Sequence, residues 1–186
     1  MFIQTEFTPN PQTIKFIPGR VVMNDGTAFF KSKEEATDSP FAQRLFDIEE
    51  VKGVFFGSDF VTITKDENVE WQTLKPIVLG AIVDHYNSGQ VTIQDKEKAQ
   101  KISESSGDET DLVKQIKELL DTRVRPAVAS DGGDIVFKSF EDGIVYLHMQ
   151  GACAGCPSST ATLKMGIENM LKHYVPEVKE VRPIDE

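Results

Sequence analysis

Two cysteines, Cys153 and Cys156, are the residues of this chain whose types and spacing most clearly point to chemistry. They are the only cysteines among 186 residues, and they lie three positions apart in the run GACAGCPSST. Such a pair of thiolates binds metal ions and also supports thiol–disulfide exchange. The small residues around the pair let the backbone wrap closely around an inorganic centre. Pro157 and the serines that follow are typical of a helix start, whose free N–H groups favour anions and are expected to lower the thiol pKa.

Several kinds of site fit this pair, besides two cysteines that are simply buried. A thioredoxin-type redox couple also lies at a helix N-terminus, but only about thirty residues follow Cys156 and no Trp lies beside the pair. A zinc site or an iron–sulfur cluster needs about four protein ligands, and one chain offers two thiolates. His148 and His173 do not complete a set within the chain, and we expect His148 to be a surface residue of an alternating strand.

A second copy of the chain is the simplest source of the missing ligands. Two Cys-x-x-Cys pairs across a two-fold axis place four thiolates around one centre. Such a centre lies at a subunit surface, is held by few contacts and is expected to be labile, which suits a carrier that gives its cluster away. We therefore predict a homodimer in the cluster-bound form, with dimerisation coupled to metal binding. A redox protein and a structural zinc dimer remain as alternatives.

The composition excludes two classes of partner. The net charge is -10, and no cluster of Lys and Arg is present, so no nucleic acid is expected. No apolar run is long enough to cross a bilayer, so no membrane association is expected. The start of the sequence has neither a secretory signal nor a transit peptide. We therefore predict a cytoplasmic protein of a bacterium, with the mitochondrial matrix as the alternative.

Residues 1–88 show the pattern of a small α+β domain. The runs FIQTEF, TIKFIPG and GTAFF predict extended segments, and Ser39-Pro40 predicts the start of a helix. VKGVFFG and DFVTITK predict a hairpin, and EWQTLKPIVLGAIVDHY has helical spacing. Pro76 lies inside this last run, so the helix either begins near it or is kinked there. No catalytic constellation is visible in this domain, and we expect no enzyme activity.

The remainder of the chain divides into a linker and a second domain. Residues 89–109 are rich in charged and small polar side chains, which predicts a flexible linker. Residues 110–186 predict the order α-β-β-α-β. We expect Pro126 to end or bend the first helix, SDGGD to form a turn after it, Asp142-Gly143 to form the turn of a hairpin, and EVKEV to form a closing strand. The fold class is therefore α+β, with two small two-layer domains joined by a polar linker.

The sequence resembles a known family on both sides of the linker. LLDTRVRPAVASDGGDI and GACAGCPSSTATLKMGIENMLKHYVPEV resemble the C-terminal NifU-like (Nfu) domain. MFIQTEFTPNPQTIKFIPGR, SPFAQRLFDIEEVKGVFFGSDFVTITK and WQTLKP resemble the N-terminal domain of α-proteobacterial and mitochondrial Nfu proteins. Ala154 stands where many relatives have Ser, and it is not a ligand. The chain lacks the further cysteine-bearing domains of nitrogen-fixation NifU proteins, so it is not expected to be the primary site of cluster synthesis.

The resemblance implies a function as well as a fold. It implies an iron–sulfur cluster carrier that holds one [4Fe-4S] cluster between two subunits, with Cys153 and Cys156 as the ligands. It also implies an upstream cluster donor and client apo-proteins, such as lipoyl synthase or aconitase-type enzymes. From the residues alone, a [2Fe-2S] centre remains an alternative to a [4Fe-4S] cluster.

Overall fold

The computed structural model describes residues 1–94, 110–155 and 157–184. Most of the predicted linker, residues 95–109, and one predicted ligand, Cys156, lie outside the described residues. The described parts form two domains that mix helices and strands, which confirms the predicted α+β class.

The N-terminal domain is a five-stranded antiparallel sheet with two helices on one face. Its elements are β1 (Gln4–Phe7), β2 (Thr13–Ile17), β3 (Ala28–Phe30), α1 (Pro40–Phe46), β4 (Val51–Phe56), β5 (Val61–Lys65) and α2 (Trp71–Ser88). The strand order is β1-β2-β5-β4-β3, so the predicted β4–β5 hairpin is confirmed at the centre of the sheet.

Local sequence signals explain where the two helices begin and end. The side chain of Ser39 accepts a hydrogen bond from the backbone N–H of Ala42 and caps α1, as predicted from Ser39-Pro40. Helix α2 begins at Trp71 and continues through Pro76, so the proline lies inside the helix and removes one backbone hydrogen bond. The helix ends at Gly89, which adopts a φ of 69° that suits glycine.

The core of this domain lies between the sheet and its two helices. Alternate residues of the strands point toward the helices, where they are removed from water. Phe41 of α1 stacks on Phe56 of the sheet and on His85 of α2, with ring centroids 5.1 Å and 3.9 Å away. The largest side chains that are fully buried in this core are Ile14, Phe16, Phe41, Leu45, Phe56, Ile63, Leu74 and Ile82.

The C-terminal domain is a three-stranded sheet covered by helices. Its elements are α3 (Asp111–Leu119), a π-helical turn (Leu120–Val124), α4 (Arg125–Ser130), β6 (Gly133–Glu141), β7 (Ile144–Gly151), α5 (Pro157–Tyr174) and β8 (Glu180–Ile184). The sheet order is β6-β7-β8, and β8 runs parallel to β7. The predicted order α-β-β-α-β is present, with the first helix divided by the π-helical turn.

Two details of this domain differ from the sequence predictions or refine them. The π-helical turn lies immediately before α4, and Pro126 occupies the first turn of α4, so the proline neither ends the helical segment nor breaks it. The closing strand was predicted over residues 177–181, and this was wrong by about three residues. Val178 instead packs in the core from the turn before β8, where it is 2% exposed.

The two domains contact each other through their sheets. Strands β4 and β5 lie against β7 near its end, on the face of the N-terminal sheet that carries no helix. Within the described parts of the chain, no helix is both long enough and apolar enough to span a bilayer.

Candidate metal centre

Cys153 lies in the loop between the end of β7 and the start of α5, as the sequence predicted. Residues 151–155 of this segment are called the cysteine loop here. The Cys153 thiol is free, and the residue is only 6% exposed. Its Sγ packs closely against Gly133, the first residue of β6. The Thr160 hydroxyl of α5 donates a hydrogen bond to the Cys153 carbonyl oxygen at 3.2 Å, which ties the loop to the helix that follows.

The thiol of Cys153 is held in its neutral form in this conformation. Burial raises the pKa of Cys153 to about 12, and the carboxylates of Asp131 and Asp134 contribute to the rise. The prediction that the helix N-terminus lowers the thiol pKa is therefore wrong for Cys153 in this state. The raised pKa describes the metal-free thiol, because a metal ion that binds the sulfur displaces its proton.

Asp134, which is buried, and Arg125, which is partly exposed, form an ion pair beneath the loop. The guanidinium of Arg125 donates two hydrogen bonds to the Asp134 carboxylate, at 2.9 Å and 2.8 Å. Asp134 is 3% exposed, and it raises the pKa of Arg125 through these hydrogen bonds. The carboxylate also accepts hydrogen bonds from the Thr27 hydroxyl and the Ile135 N–H. Asp134 therefore has a structural role, in agreement with the interpretation of SDGGD as a turn.

A cleft of about 420 Å³ opens beside Cys153. Residues of α4, the cysteine loop and α5 contribute to its walls, and Pro9 of the N-terminal domain contributes from the other side. Among the residues that the structure describes, no group of three or more His, Cys, Asp or Glu side chains is arranged to hold a metal ion. One thiol at the edge of a cleft is thus a partial donor set, and it fits a centre that is completed by additional ligands.

The N-terminal domain supplies contacts to the site that the sequence did not predict. The side-chain amide of Asn10 donates a hydrogen bond of 3.1 Å to the carbonyl oxygen of Ala154, inside the Cys-x-x-Cys motif. The Thr62 hydroxyl donates one of 2.7 Å to the carbonyl oxygen of Gly132. Asn10 lies in a turn, and Thr62 is a polar residue at an alternate position of β5. Neither signal says which part of the protein covers the residue.

The predicted surface position of His148 is wrong. His148 is 8% exposed, and its neighbour on the same face of β7, Gln150, is 2% exposed. The prediction assumed that one face of the hairpin is open to solvent. The N-terminal sheet lies against β7 instead, so both faces of this part of the strand are covered.

The comparisons with known proteins agree with the two-domain organisation of the fold. Residues 3–89 match the family model described as "Scaffold protein Nfu/NifU N terminal", and residues 116–182 match the "NifU-like domain". Together these ranges cover most of the chain. The chain belongs to the NifU-like (Nfu) family.

Two relatives illustrate how close this Nfu chain is to its family. NifU-like protein 4, mitochondrial, from Arabidopsis thaliana is 54% identical over 184 residues, which are 97% of this chain and 65% of the relative. The NFU1 iron-sulfur cluster scaffold homolog, mitochondrial, from Homo sapiens is 49% identical over 185 residues, which are 99% of this chain and 72% of the relative. The chain thus spans about two thirds of the length of these relatives.

Proposed function

We propose that this Nfu chain is a non-enzymatic carrier and scaffold for an iron–sulfur cluster. In this proposal, one [4Fe-4S] cluster bridges two copies of the chain, and Cys153 and Cys156 of each copy are its ligands. The carrier receives the cluster from an upstream donor and delivers it to client apo-proteins. A [2Fe-2S] centre is the alternative cargo.

The position of the Cys153 thiol in its loop is the observation that carries the proposal. The thiol lies at the edge of a cleft, in the loop that leads into α5, where there is space beside the sulfur for an inorganic centre. Iron–sulfur clusters are held by about four cysteine thiolates. Two cysteines per chain then require two chains. The family and the name of the human relative, an iron-sulfur cluster scaffold homolog, support the same cargo.

The location of the protein is part of this proposal. The two relatives described above are named as mitochondrial proteins. Their names favour the mitochondrial matrix, which was the alternative prediction. The prediction of a bacterial cytoplasm gains no support from them.

Anaerobic reconstitution with iron and sulfide tests the proposal. Iron, sulfide and protein are assayed, and size-exclusion chromatography with light scattering measures the mass. We expect about four irons and four sulfides per dimer, with both the cluster and the dimer lost in Cys153→Ala and in Cys156→Ala. Asn169→Ala, at an exposed position of α5, is the matched control and should load normally.

Three results separate the proposal from its alternatives. A colourless monomer that reduces disulfide substrates would indicate a thiol–disulfide oxidoreductase. A dimer that retains zinc and never accepts iron would indicate a structural zinc site. A loaded dimer that keeps its cluster in the presence of an apo-ferredoxin would contradict the carrier function.

A further inference from the structure

We infer that the helix-free face of the N-terminal sheet is a docking surface for the cysteine loop of the same chain, and that this docked state competes with the second copy of the chain. The inference deepens the proposed function, and its competition step rests on that function. The docking itself follows from contacts between the two domains.

Three neighbouring residues of the N-terminal sheet form the docking surface. In the register of the sheet, Lys15 of β2 lies opposite Thr62 of β5, and Thr62 lies opposite Phe55 of β4. Lys15, Thr62 and Phe55 therefore form one row across the centre of the sheet, called the docking row here. All three point away from α1 and α2, since their neighbours Phe16, Ile63 and Phe56 occupy the core on the other side. In an isolated two-layer domain this row would face water.

Each member of the docking row contacts the C-terminal domain near the cysteine loop. The Lys15 ammonium donates to the carbonyl oxygen of Ser130 at 3.2 Å, and the Thr62 hydroxyl donates to that of Gly132 at 2.7 Å. Phe55 packs against Gly151, the first residue of the cysteine loop. Thr62 and Phe55 are 0% and 1% exposed. Burying a hydroxyl this deeply costs folding free energy unless it makes a hydrogen bond. The docking row is therefore suited to a surface that the C-terminal domain covers.

Glycines in the C-terminal domain make this close approach feasible. A Cβ atom at Gly132 would lie 2.8 Å from the Thr62 Oγ1, and one at Gly151 would lie 2.9 Å from the Phe55 ring. The φ values of Gly132 and Gly151 are 83° and 62°, which favour glycine over other residues. The fit between the two sheets therefore depends on two positions near Cys153, Gly132 and Gly151, that carry no side chain.

Docking and a shared cluster require the same space. A cluster held by two copies needs both cysteine loops to face each other at close range. Here Asn10 binds the peptide carbonyl of Ala154, and Pro9 forms a wall of the cleft beside Cys153. A second copy cannot reach Cys153 from that side while the N-terminal domain is docked. In the docked state the protein therefore holds no cluster, and Cys153 is shielded from a second copy. Binding of the cluster selects the undocked state.

Thr62→Glu is the variant that separates docking from folding. On the free N-terminal sheet, the new carboxylate lies opposite Lys15 in a favourable cross-strand pair. In the docked state the longer, charged side chain would occupy the fully buried position of Thr62 and meet the Gly132 carbonyl oxygen, to which a carboxylate cannot donate a hydrogen bond. Thr73→Glu is the matched control, because Thr73 is exposed on α2, on the opposite side of the sheet.

The apo forms of the full chain and both variants are compared first. Small-angle X-ray scattering measures the radius of gyration, and hydrogen exchange measures protection of the backbone amides of residues 132–133 and 151–154. We expect a larger radius and about tenfold faster exchange in Thr62→Glu, with no change in Thr73→Glu. An unchanged radius and unchanged exchange in Thr62→Glu would overturn the docking.

The second readout is the mass of each protein after reconstitution with iron and sulfide, over a range of protein concentrations. We expect Thr62→Glu to dimerise at about tenfold lower concentration than the unmodified chain. Equal or weaker dimerisation of Thr62→Glu would overturn the competition. If none of the three proteins binds iron, both the proposed function and the competition are contradicted. The scattering and hydrogen-exchange measurements on the apo proteins would still decide whether the domains dock.

Discussion

The side-chain amide of Asn10 donates a hydrogen bond of 3.1 Å to the carbonyl oxygen of Ala154, although the two residues are 144 positions apart in the sequence. Asn10 is 1% exposed, and its own Oδ1 accepts a hydrogen bond from the Gln12 N–H, which fixes the orientation of the amide. A residue of the N-terminal domain thereby restrains the peptide between the two cysteines.

Asn10→Ala is expected to loosen the cysteine loop. The substitution removes the hydrogen bond to Ala154 and leaves a carbonyl oxygen without this partner, which costs about 1–2 kcal/mol. In a Cys156→Ser background Cys153 is the only thiol, and its alkylation by iodoacetamide should become about three- to tenfold faster. Asn87→Ala, at an exposed position of α2, should leave the rate unchanged. Equal rates in Asn10→Ala and Asn87→Ala would contradict the restraint.

Gly133→Ala is expected to displace Cys153. The added Cβ would lie 2.5 Å from the Cys153 Sγ and 2.8 Å from the carbonyl oxygen of Gln150, so the backbone must shift, at a cost of about 1–3 kcal/mol. Urea denaturation followed by circular dichroism should show this loss. Gly166→Ala in α5 is the control, because nothing lies within 4 Å of its Cβ and alanine favours a helix by up to about 1 kcal/mol. Equal stability of the two variants would refute the close contact.

Arg125→Ala is expected to destabilise the C-terminal domain strongly. The Asp134 side chain is 4% exposed, and without the guanidinium its charge stays buried with hydrogen bonds but no cation beside it. Removing one partner of a fully buried pair costs about 3–5 kcal/mol, and we expect the lower end of this range because solvent reaches the Arg125 side chain, which is 37% exposed. Arg182→Ala removes an exposed pair with Glu180 and should change the denaturation midpoint little, because solvent screens such a pair. Similar midpoints for the two variants would show that the Arg125 pair is not buried in solution.

The stability of the N-terminal domain is expected to fall in mild acid because of His85. Burial on the Phe41 ring lowers the pKa of His85 from 6.5 to about 4, and the charge of Arg44 contributes. The unfolded chain therefore takes up a proton at higher pH than the folded chain. The contribution of His85 to the free energy of unfolding is fully present above pH 6.5. It is lost as the pH falls toward 4, by up to about 1.4 kcal/mol per pH unit.

Fluorescence of Trp71, the only tryptophan of the chain, reports unfolding of this domain, and urea titrations at pH 7 and pH 4.5 give the difference. His85→Leu keeps an apolar side chain against Phe41 and removes the titration, so its stability should depend less on pH. A variant with the same acid sensitivity as the unmodified chain would assign that sensitivity to other groups.

Local sequence determined most of the individual elements. Ser39-Pro40 predicted α1, the turn at Asp142-Gly143 predicted the β6–β7 hairpin, and the helical spacing after Trp71 predicted α2. These signals succeed because capping, turn conformations and amphipathic periods depend on residues that are near in sequence. The predicted position of β8 was wrong by about three residues, because the packing of Val181 in the core sets the register of this strand and the local sequence pattern does not.

The sequence by itself also located the candidate centre. Cys153 and Cys156 are the only thiols in the chain, and their spacing predicts a metal or redox site; their role as ligands stays a prediction. Only the tertiary structure decided that Cys153 is buried, that its thiol pKa is raised and that Asn10 and Thr62 reach its loop. These contacts form because two sheets pack face to face. The residue pattern of a single strand predicts that one of its faces is polar, but it does not predict which other element packs against that face.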